Sequence, residues 1–535
     1  MSPYTSRLQK LRVEFLPQLP KVLQNLHNIQ CMKQNATTCV ADQEEIKPLF
    51  PKTFGRPIVE AKEENPREAP ALKVGVVLSG GQAAGGHNVI IGLFDALITL
   101  NPQSKLFGFL GGPSGIIENK VMELTQEGIA TYRNQGGFDM IGSGRTKIET
   151  DEQLAASLKT MQDQNLDGLV VIGGDDSNTN AAILAEYFLE KGCKTTVIGV
   201  PKTIDGDIQN AEIEITFGFD TATKTYSEMI GNIQRDALSA KKYWHFIRLM
   251  GRSASHITLE CALSTHPNIA LIAEEVAAKK MTFAQVTKEV ADIIQKRSEK
   301  GMNYGVILVP EGLIEFIPAI EKLIQELNAL AASEKDLQVD TVSAKLSEEA
   351  KSCFASLPEE IQKQLLIDRD PHGNVQVSKI ETEKLLISAV KKELEGKCKF
   401  SPQNHFFGYE GRAGYPSNFD THYCYSLGYS AALLIDEELT GYIACVSNLQ
   451  RPLQDWKVLG LPITMLMNME MRMGKRSPVI RKALVDLKGK PFKYFAENRK
   501  YWALEDQYCY PGPLQFFGEI EIADAIPLIM QVESQ

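Results

Sequence analysis

The chain has 535 residues, 43% of them hydrophobic and 23% charged, a balance that excludes a disordered polymer and supplies apolar material for more than one core. A net charge of −10 excludes the basic footprint of a nucleic-acid binder and any general attraction to an acidic membrane surface, so neither nucleic acid nor membrane is expected as a partner. Positive charge that serves an anionic ligand must then be concentrated locally, which makes a Lys or Arg beside a glycine-rich turn informative.

In chain order, residues 1–70 are mixed in character, with prolines at 17 and 20 and a polar run from Glu60 to Glu68. They are expected to form an N-terminal extension that wraps the body or another subunit. The start, Met1 to Arg7, lacks the apolar core of a secretion signal. No apolar run approaches the roughly 20 residues of a membrane span. The nine cysteines are dispersed without a C-x-x-C pair and read as reduced thiols, so a cytoplasmic location is expected.

A repeated grammar begins at Lys73. Short apolar runs at Lys73–Leu78, Leu106–Leu110, Gly168–Ile172, Thr196–Val200, Trp244–Met250 and Tyr304–Val309 each close on glycine or proline. Such runs predict buried parallel strands. Helical patterns lie between them at Asn88–Leu100, Asp151–Gln164, Ser177–Lys191, Ala254–Leu263 and Phe283–Arg297. The alternation predicts an α/β fold with two doubly wound, Rossmann-like domains. From about 314 to 400 the composition turns to Glu, Lys, Gln, Leu and Ala, which predicts a mostly helical insertion interrupted by a turn at Asp368–Gly373. Strands return at His405–Tyr409 and Tyr442–Val446, with a helix from Tyr423 to Ile435 between them. The Met-rich stretch Met465–Met473 reads as helix core or a subunit contact, and Arg472 and Arg476 beside it have the reach to meet an anion.

Ligands of doubly wound sheets sit at the carboxyl ends of the strands, and three turns there carry chemistry. Ser79-Gly-Gly-Gln-Ala-Ala-Gly-Gly-His-Asn88 offers backbone amides to an anion ahead of a helix, although a tight turn without ligand has the same look. In Gly173-Gly-Asp-Asp-Ser177, Ser177 or Asp176 can serve merely as a helix cap. Asp175 is harder to dismiss, because a carboxylate beside glycine amides can hold Mg²⁺ while the amides hold phosphate oxygens. Pro201-Lys-Thr-Ile-Asp-Gly-Asp207 sets a lysine and two carboxylates at another strand end, where one can take a proton from an attacking hydroxyl. His87, His256 and His405 read as hydrogen-bonded structural histidines.

The order S-G-G-x-x-x-G-G-x-N, G-G-D-D-S, P-K-T-I-D-G-D, M-G-R, P-E-G and Y-E-G-R, over about residues 70 to 480, resembles the phosphofructokinase family. Within it the chain is similar to the long pyrophosphate-dependent 6-phosphofructokinases, of which the plant catalytic beta subunits are examples. One departure is Ala84, where many members have proline. The resemblance implies a reversible, Mg²⁺-dependent glycolytic phosphotransferase acting on pyrophosphate and fructose 6-phosphate. It also implies a homodimer or higher homo-oligomer with a shared active site.

Residue by residue, the resemblance makes Asp205 the proton acceptor for the sugar 1-hydroxyl, with Thr203 and Asp207 beside it, and Asp175 the Mg²⁺ ligand. Gly81 and Arg145 bind phosphate. Met250, Gly251, Arg252, Glu311, Tyr409 and Arg412 hold fructose 6-phosphate, and Lys242 and Tyr243 reach the sugar phosphate of a neighbouring subunit. The implied division is a pyrophosphate- and Mg-binding domain over 71–240, a sugar-binding domain over 241–450, and a segment 451–535 that returns to the first domain.

The resemblance also implies that Asp176 and Lys202 choose the donor, since members using ATP have glycine at the first place and typically glycine at the second. A carboxylate beside the donor's third phosphate opposes it by roughly 4 kcal/mol at 4 Å in an effective dielectric near 20, and side-chain bulk at a former glycine adds a steric cost. A lysine can stabilise charge on a short leaving group. The same two residues oppose an ATP-dependent phosphofructokinase. The intact Asp175, Asp205 and Asp207 oppose a silent regulatory subunit, and the glycine spacing after Val74–Leu78 opposes a nicotinamide dehydrogenase.

Overall fold

The computed structural model describes residues 6–333, 339–368, 375, 379–472 and 475–513. Among them fifteen strands form three sheets. The first is nine-stranded, in the order β1-β2-β13-β12-β7-β6-β3-β4-β5. Its strands are β1 (Ile29–Ala36), β2 (Pro57–Glu63), β3 (Lys73–Leu78), β4 (Lys105–Phe109), β5 (Val121–Leu124), β6 (Gly168–Gly173), β7 (Thr196–Pro201), β12 (Tyr442–Ser447) and β13 (Lys457–Pro462). The central β12-β7-β6-β3-β4 are parallel, and antiparallel strands finish both edges.

The buried parallel strands show why their sequences read as unbroken apolar runs. Val74, Val76 and Leu78 of β3 enter the core on one face while Val77 enters that on the other. Val170 and Ile172 of β6 oppose Leu169 and Val171 in the same way. Successive side chains alternate faces, and here both faces are covered. The order reverses between β3 and β6: the chain leaves β3 for β4 on one side and returns to β6 on the other. That reversal opens a crevice at the carboxyl ends of β3 and β6.

The second sheet is four-stranded and parallel, in the order β11-β8-β10-β9, with β8 (Trp244–Leu249), β9 (Ile269–Ala270), β10 (Gly305–Pro310) and β11 (Pro402–Phe407). Trp244, Phe246, Ile307 and Val309 face a core shared with the helical insertion, whose helices include Pro318–Ser333, Glu348–Ser356, Glu359–Ile367 and Thr382–Glu393. Of the turn expected at Asp368–Gly373, residues 369–373 lie outside the described residues. The third sheet is a hairpin of β14 (Met467–Arg472) and β15 (Lys475–Ile480). It corrects the helical reading of Met465–Met473: Met467 and Met469 are buried while Met471 is exposed, the alternation of a strand. Met473 lies outside the described residues.

The residues before Lys73 add β1 and β2 to the sheet edge, a more integral part than a wrapping extension. The helix Phe219–Ala240, unforeseen in the pattern, buries Phe219, Ala222, Tyr226, Ile230 and Ala237 at helical spacing. Beyond residue 450, β13 joins the first sheet and the helix Lys490–Leu504 packs beside the second.

Candidate active site

The first turn leaves β3 at Leu78. Gly80 has φ +86°, a conformation that favours glycine, and its N–H donates to the Gly144 carbonyl at 2.9 Å. The Ser143 hydroxyl donates to the Gly80 carbonyl at 2.7 Å, so residues 143–145 are strapped to this turn. A Cβ on Gly81 would stand 3.6 Å from Nη1 of Arg412 and 3.8 Å from Nη2 of Arg145. One on Gly80 would stand 3.4 Å from Lys202 Nζ. Three cations from distant parts of the chain thus converge on a bare backbone.

The second turn follows β6. Gly174 occupies the cap position and Asp175 and Asp176 begin the helix Asp175–Glu190, so neither Asp176 nor Ser177 is the N-cap. Carboxylates in the first turn suit the positive end of a helix. The Ser177 hydroxyl instead donates to Ser79 Oγ at 2.8 Å, tying the second turn to the first. Cations surround the two carboxylates. Arg472 pairs with Asp176 and stands 3.8 Å from Asp175. Lys147 is 3.4 Å from Asp176, and Lys482 is 3.8 Å from Asp175.

The third turn follows β7, where the Lys202 N–H donates to the Gly173 carbonyl at 2.9 Å. Gly206 has φ +72°, and a Cβ there would stand 3.2 Å from the Phe219 ring and 3.3 Å from His256 Cβ. Only glycine suits both demands, and the bend sets the neighbouring carboxylates in one environment. The Asp205 N–H donates to Thr203 Oγ1 at 3.0 Å, and the Thr216 hydroxyl donates to the Thr203 carbonyl at 2.8 Å.

Burial pushes the Asp205 carboxyl up, with Glu311 adding to it, while Arg252, Lys482 and Lys202 pull it down. Asp207 is pushed up to about 6 by burial and by Asp205 and Asp175. Lys202 is brought down to about 8 by burial, against the pull of Asp205 and Asp175. Both Lys202 and Asp207 are buried.

The opposite wall comes from the second sheet. Met250, Glu311 and Tyr409 follow the carboxyl ends of β8, β10 and β11, which lie side by side. The Met250 N–H donates to the Phe407 carbonyl at 3.0 Å, and the Glu311 N–H donates to the Leu249 carbonyl at 3.0 Å. The Gly251 N–H donates to Glu311 Oε2 at 3.2 Å. Burial pushes the Glu311 carboxyl up, countered by that hydrogen bond and by Arg248 and Arg252. Arg412 lies over the Tyr409 ring at 4.5 Å, and Tyr226 holds the adjoining loop by donating to the Gly408 carbonyl at 2.6 Å.

The structure therefore brings together fourteen of the sixteen residues marked in the sequence: Gly81, Arg145, Asp175, Asp176, Lys202, Thr203, Asp205, Asp207, Met250, Gly251, Arg252, Glu311, Tyr409 and Arg412. Lys242 and Tyr243 stand apart at the start of β8, a strand length of roughly 20 Å from Met250. There Lys242 Nζ lies 4.9 Å from the Tyr243 ring centre.

A cleft of about 1180 Å³ runs between the walls, lined among others by Asp175, Asp176, Arg252, Ser253, Arg472 and Lys482. Lys482 and Lys147 escaped the sequence reading. Lys482 donates to the Ser253 hydroxyl at 2.8 Å and is one of the charges acting on both Asp205 and Asp207. The available signal was local positive charge, Lys475-Arg476 and Arg481-Lys482, in an acidic chain. The three histidines meet protein atoms: His87 Nε2 accepts from the Met140 N–H, His256 faces the Ala483 carbonyl and His405 faces His245. Among the described residues no group of three or more His, Cys, Asp or Glu is arranged for a metal, so a cation here would take its protein ligands from at most one or two carboxylates, such as Asp175. That suits Mg²⁺, which commonly takes one or two carboxylates and completes its shell with phosphate oxygens and water.

Residues 73–435 match the family model described as phosphofructokinase. A pyrophosphate–fructose 6-phosphate 1-phosphotransferase of Porphyromonas gingivalis is 52% identical, with 99% of each chain covered. The subunit beta 1 of the enzyme so named in Arabidopsis thaliana is 53% identical, over 99% of this chain and 95% of that one. In fold, the chain is similar to a pyrophosphate-dependent phosphofructokinase of Nitrosospira multiformis, with a TM-score of 0.56 at 15% identity over 82% of this chain and 93% of that one.

Proposed function

The chain belongs to the phosphofructokinase family, and on that premise we propose that the cleft transfers a phosphoryl group from pyrophosphate to the 1-hydroxyl of fructose 6-phosphate. The products are fructose 1,6-bisphosphate and phosphate. Relatives about half identical over the whole chain bear this activity in their names. The single observation that carries the reading is the convergence of Asp175, Asp176, Lys202 and Asp205 at the carboxyl ends of β6 and β7, opposite the sugar wall.

The mechanism follows from these surroundings. Arg145, Arg412 and Lys202 gather at the glycine turn 80–81 and bind the donor's phosphates through charge and open backbone. Asp175 would hold Mg²⁺, which when bound would supply neutralising charge to the donor's phosphates. Arg252 and Glu311 orient the sugar so that its 1-hydroxyl approaches Asp205. Asp205 takes the hydroxyl proton as the phosphoryl group moves, and its raised affinity for protons makes it the better acceptor. Lys202, still protonated at pH 7, stabilises the negative charge growing on the departing phosphate. The bond broken and the ester formed are of similar energy, so the reaction runs either way.

Lys242 and Tyr243 lie far from this cleft in their own chain, which supports a homodimer or higher homo-oligomer in which they enter a partner's sugar-phosphate site. All nine cysteines are free thiols, which supports a cytoplasmic location. No helix among the described residues is long and apolar enough to cross a membrane.

A donor assay tests the reading. With fructose 6-phosphate and Mg²⁺, the purified protein turns over pyrophosphate and uses ATP poorly. Robust ATP turnover with none from pyrophosphate overturns it.

A further inference from the structure

The sequence opposes ATP at Asp176 through charge and through bulk, but the structure leaves that carboxylate well neutralised, so charge is the lesser part. Arg472 is paired with it and Lys147 stands 3.4 Å away. A compensated carboxylate has little charge to spare against a third phosphate. Its pairing has another consequence, because Arg472 ends β14 and the hairpin β14–β15 forms part of the cleft wall through Glu470, Met471 and Lys475. The helix Asp175–Glu190 is thus fastened to the hairpin across the donor end of the cleft.

The same hairpin is fastened elsewhere. The Met469 N–H donates to Asp42 Oδ2 at 2.9 Å, and the Val40 N–H donates to the Met467 carbonyl at 3.0 Å. Arg476 grips Glu45 through two hydrogen bonds of 2.9 and 2.8 Å. On the helix side the Ile480 N–H donates to Thr179 Oγ1 at 3.3 Å. The N-terminal segment therefore clamps one side of the hairpin while Asp176 clamps the other. Resting on the pyrophosphate reading, we propose that Arg472 is a positioning residue for donor choice: latched by Asp176, it holds the hairpin across the space a nucleotide's ribose and base require.

The latch and direct repulsion predict opposite signs for one substitution. Arg472→Met exposes the charge of Asp176, so under repulsion ATP binds more weakly still. Under the latch the hairpin is released and ATP binds more tightly. Calorimetric titration of the full-length variant with Mg·ATP is expected to show binding at least about tenfold tighter than in the unaltered protein. Arg472→Lys, which keeps the charge pair, should retain most of the exclusion. Unaltered fructose 6-phosphate affinity will show that the variant is folded.

Unchanged or weaker ATP binding overturns the latch. So does loss of pyrophosphate turnover without any gain for ATP, which makes Arg472 a direct pyrophosphate ligand. If Arg472→Met does not fold, Glu45→Ala loosens the outer clamp and should tighten ATP binding about threefold; no change overturns the proposal. Failure of the parent reading looks different, because the unaltered protein itself would then prefer ATP.

Discussion

Asp175 and Asp176 follow β6 while Asp205 and Asp207 follow β7, and adjacent strands bring the two pairs close enough for Asp175 to act on Asp207, yet in contrasting surroundings. The first pair is met by Arg472, Lys147 and Lys482 within 3.8 Å or less. The second is buried near Glu311 and beside its own twin, and its protons are held more tightly than in water. The cations around the first pair hold it in ion pairs, as a latch requires. Like charges and burial raise proton affinity, as a base requires. Two turns of nearly equal composition are thus set to different tasks by residues outside either turn.

The largest effect expected from breaking this contrast is at Asp205. Asp205→Asn keeps the shape but cannot accept a proton, and kcat should fall by about 10²–10⁴-fold. The KM for fructose 6-phosphate should change far less, because Arg252 and Glu311 remain. Steady-state kinetics with pyrophosphate separate the two. Comparable losses in kcat and sugar affinity identify Asp205 as a binding group and erase its distinction from Asp175.

The contrast was half legible in the sequence, for a physical reason. β3, β6, β7, β8 and β10 are buried on both faces, so each was readable to within about a residue. Their carboxyl-end turns, with Asp175, Asp176, Lys202, Asp205 and Asp207, followed directly. β1 exposes most of its residues, and β2 pairs with β13 some 400 positions away, so neither carries a local signature. The helix Phe219–Ala240 hid because Thr221, Thr223, Ser227 and Gln234 interrupt its buried face. The cations that distinguish the turns share the difficulty of β2. Arg472 meets Asp176 across 296 positions, a pairing that no local spacing reveals.

A second, smaller effect sharpens the comparison through pH. Asp205 must be unprotonated to act, so activity falls as acidity rises through the range of the raised carboxyls, where Asp207 stands at about 6. Lys202 must be protonated, so activity falls again as pH rises past about 8. The kcat/KM for pyrophosphate is expected to be bell-shaped, its acid limb belonging to the coupled carboxyls together. Glu311→Gln removes a like charge from Asp205 and should move that limb to lower pH. Comparing variant with unaltered protein cancels the titration of the substrates. An unmoved limb denies that Glu311 governs the base.

The smallest effect concerns stability and has a sign peculiar to the second turn. In the fold Asp207 holds its proton up to about pH 6, whereas an unfolded aspartate releases it near 4. Between those values the folded state binds more protons than the unfolded chain, so stability falls as pH rises through the interval. Above 6 the full cost of the buried charge is present, about 3 kcal/mol. Asp207→Asn removes that cost while its amide oxygen can still accept from Thr203. The variant should melt a few degrees higher than the unaltered protein at pH 7.5, and its advantage should shrink by pH 5. A lower melting point at pH 7.5 means that Lys482 compensates the carboxylate of Asp207 as fully as Arg472 does that of Asp176. The two turns would then differ in position alone.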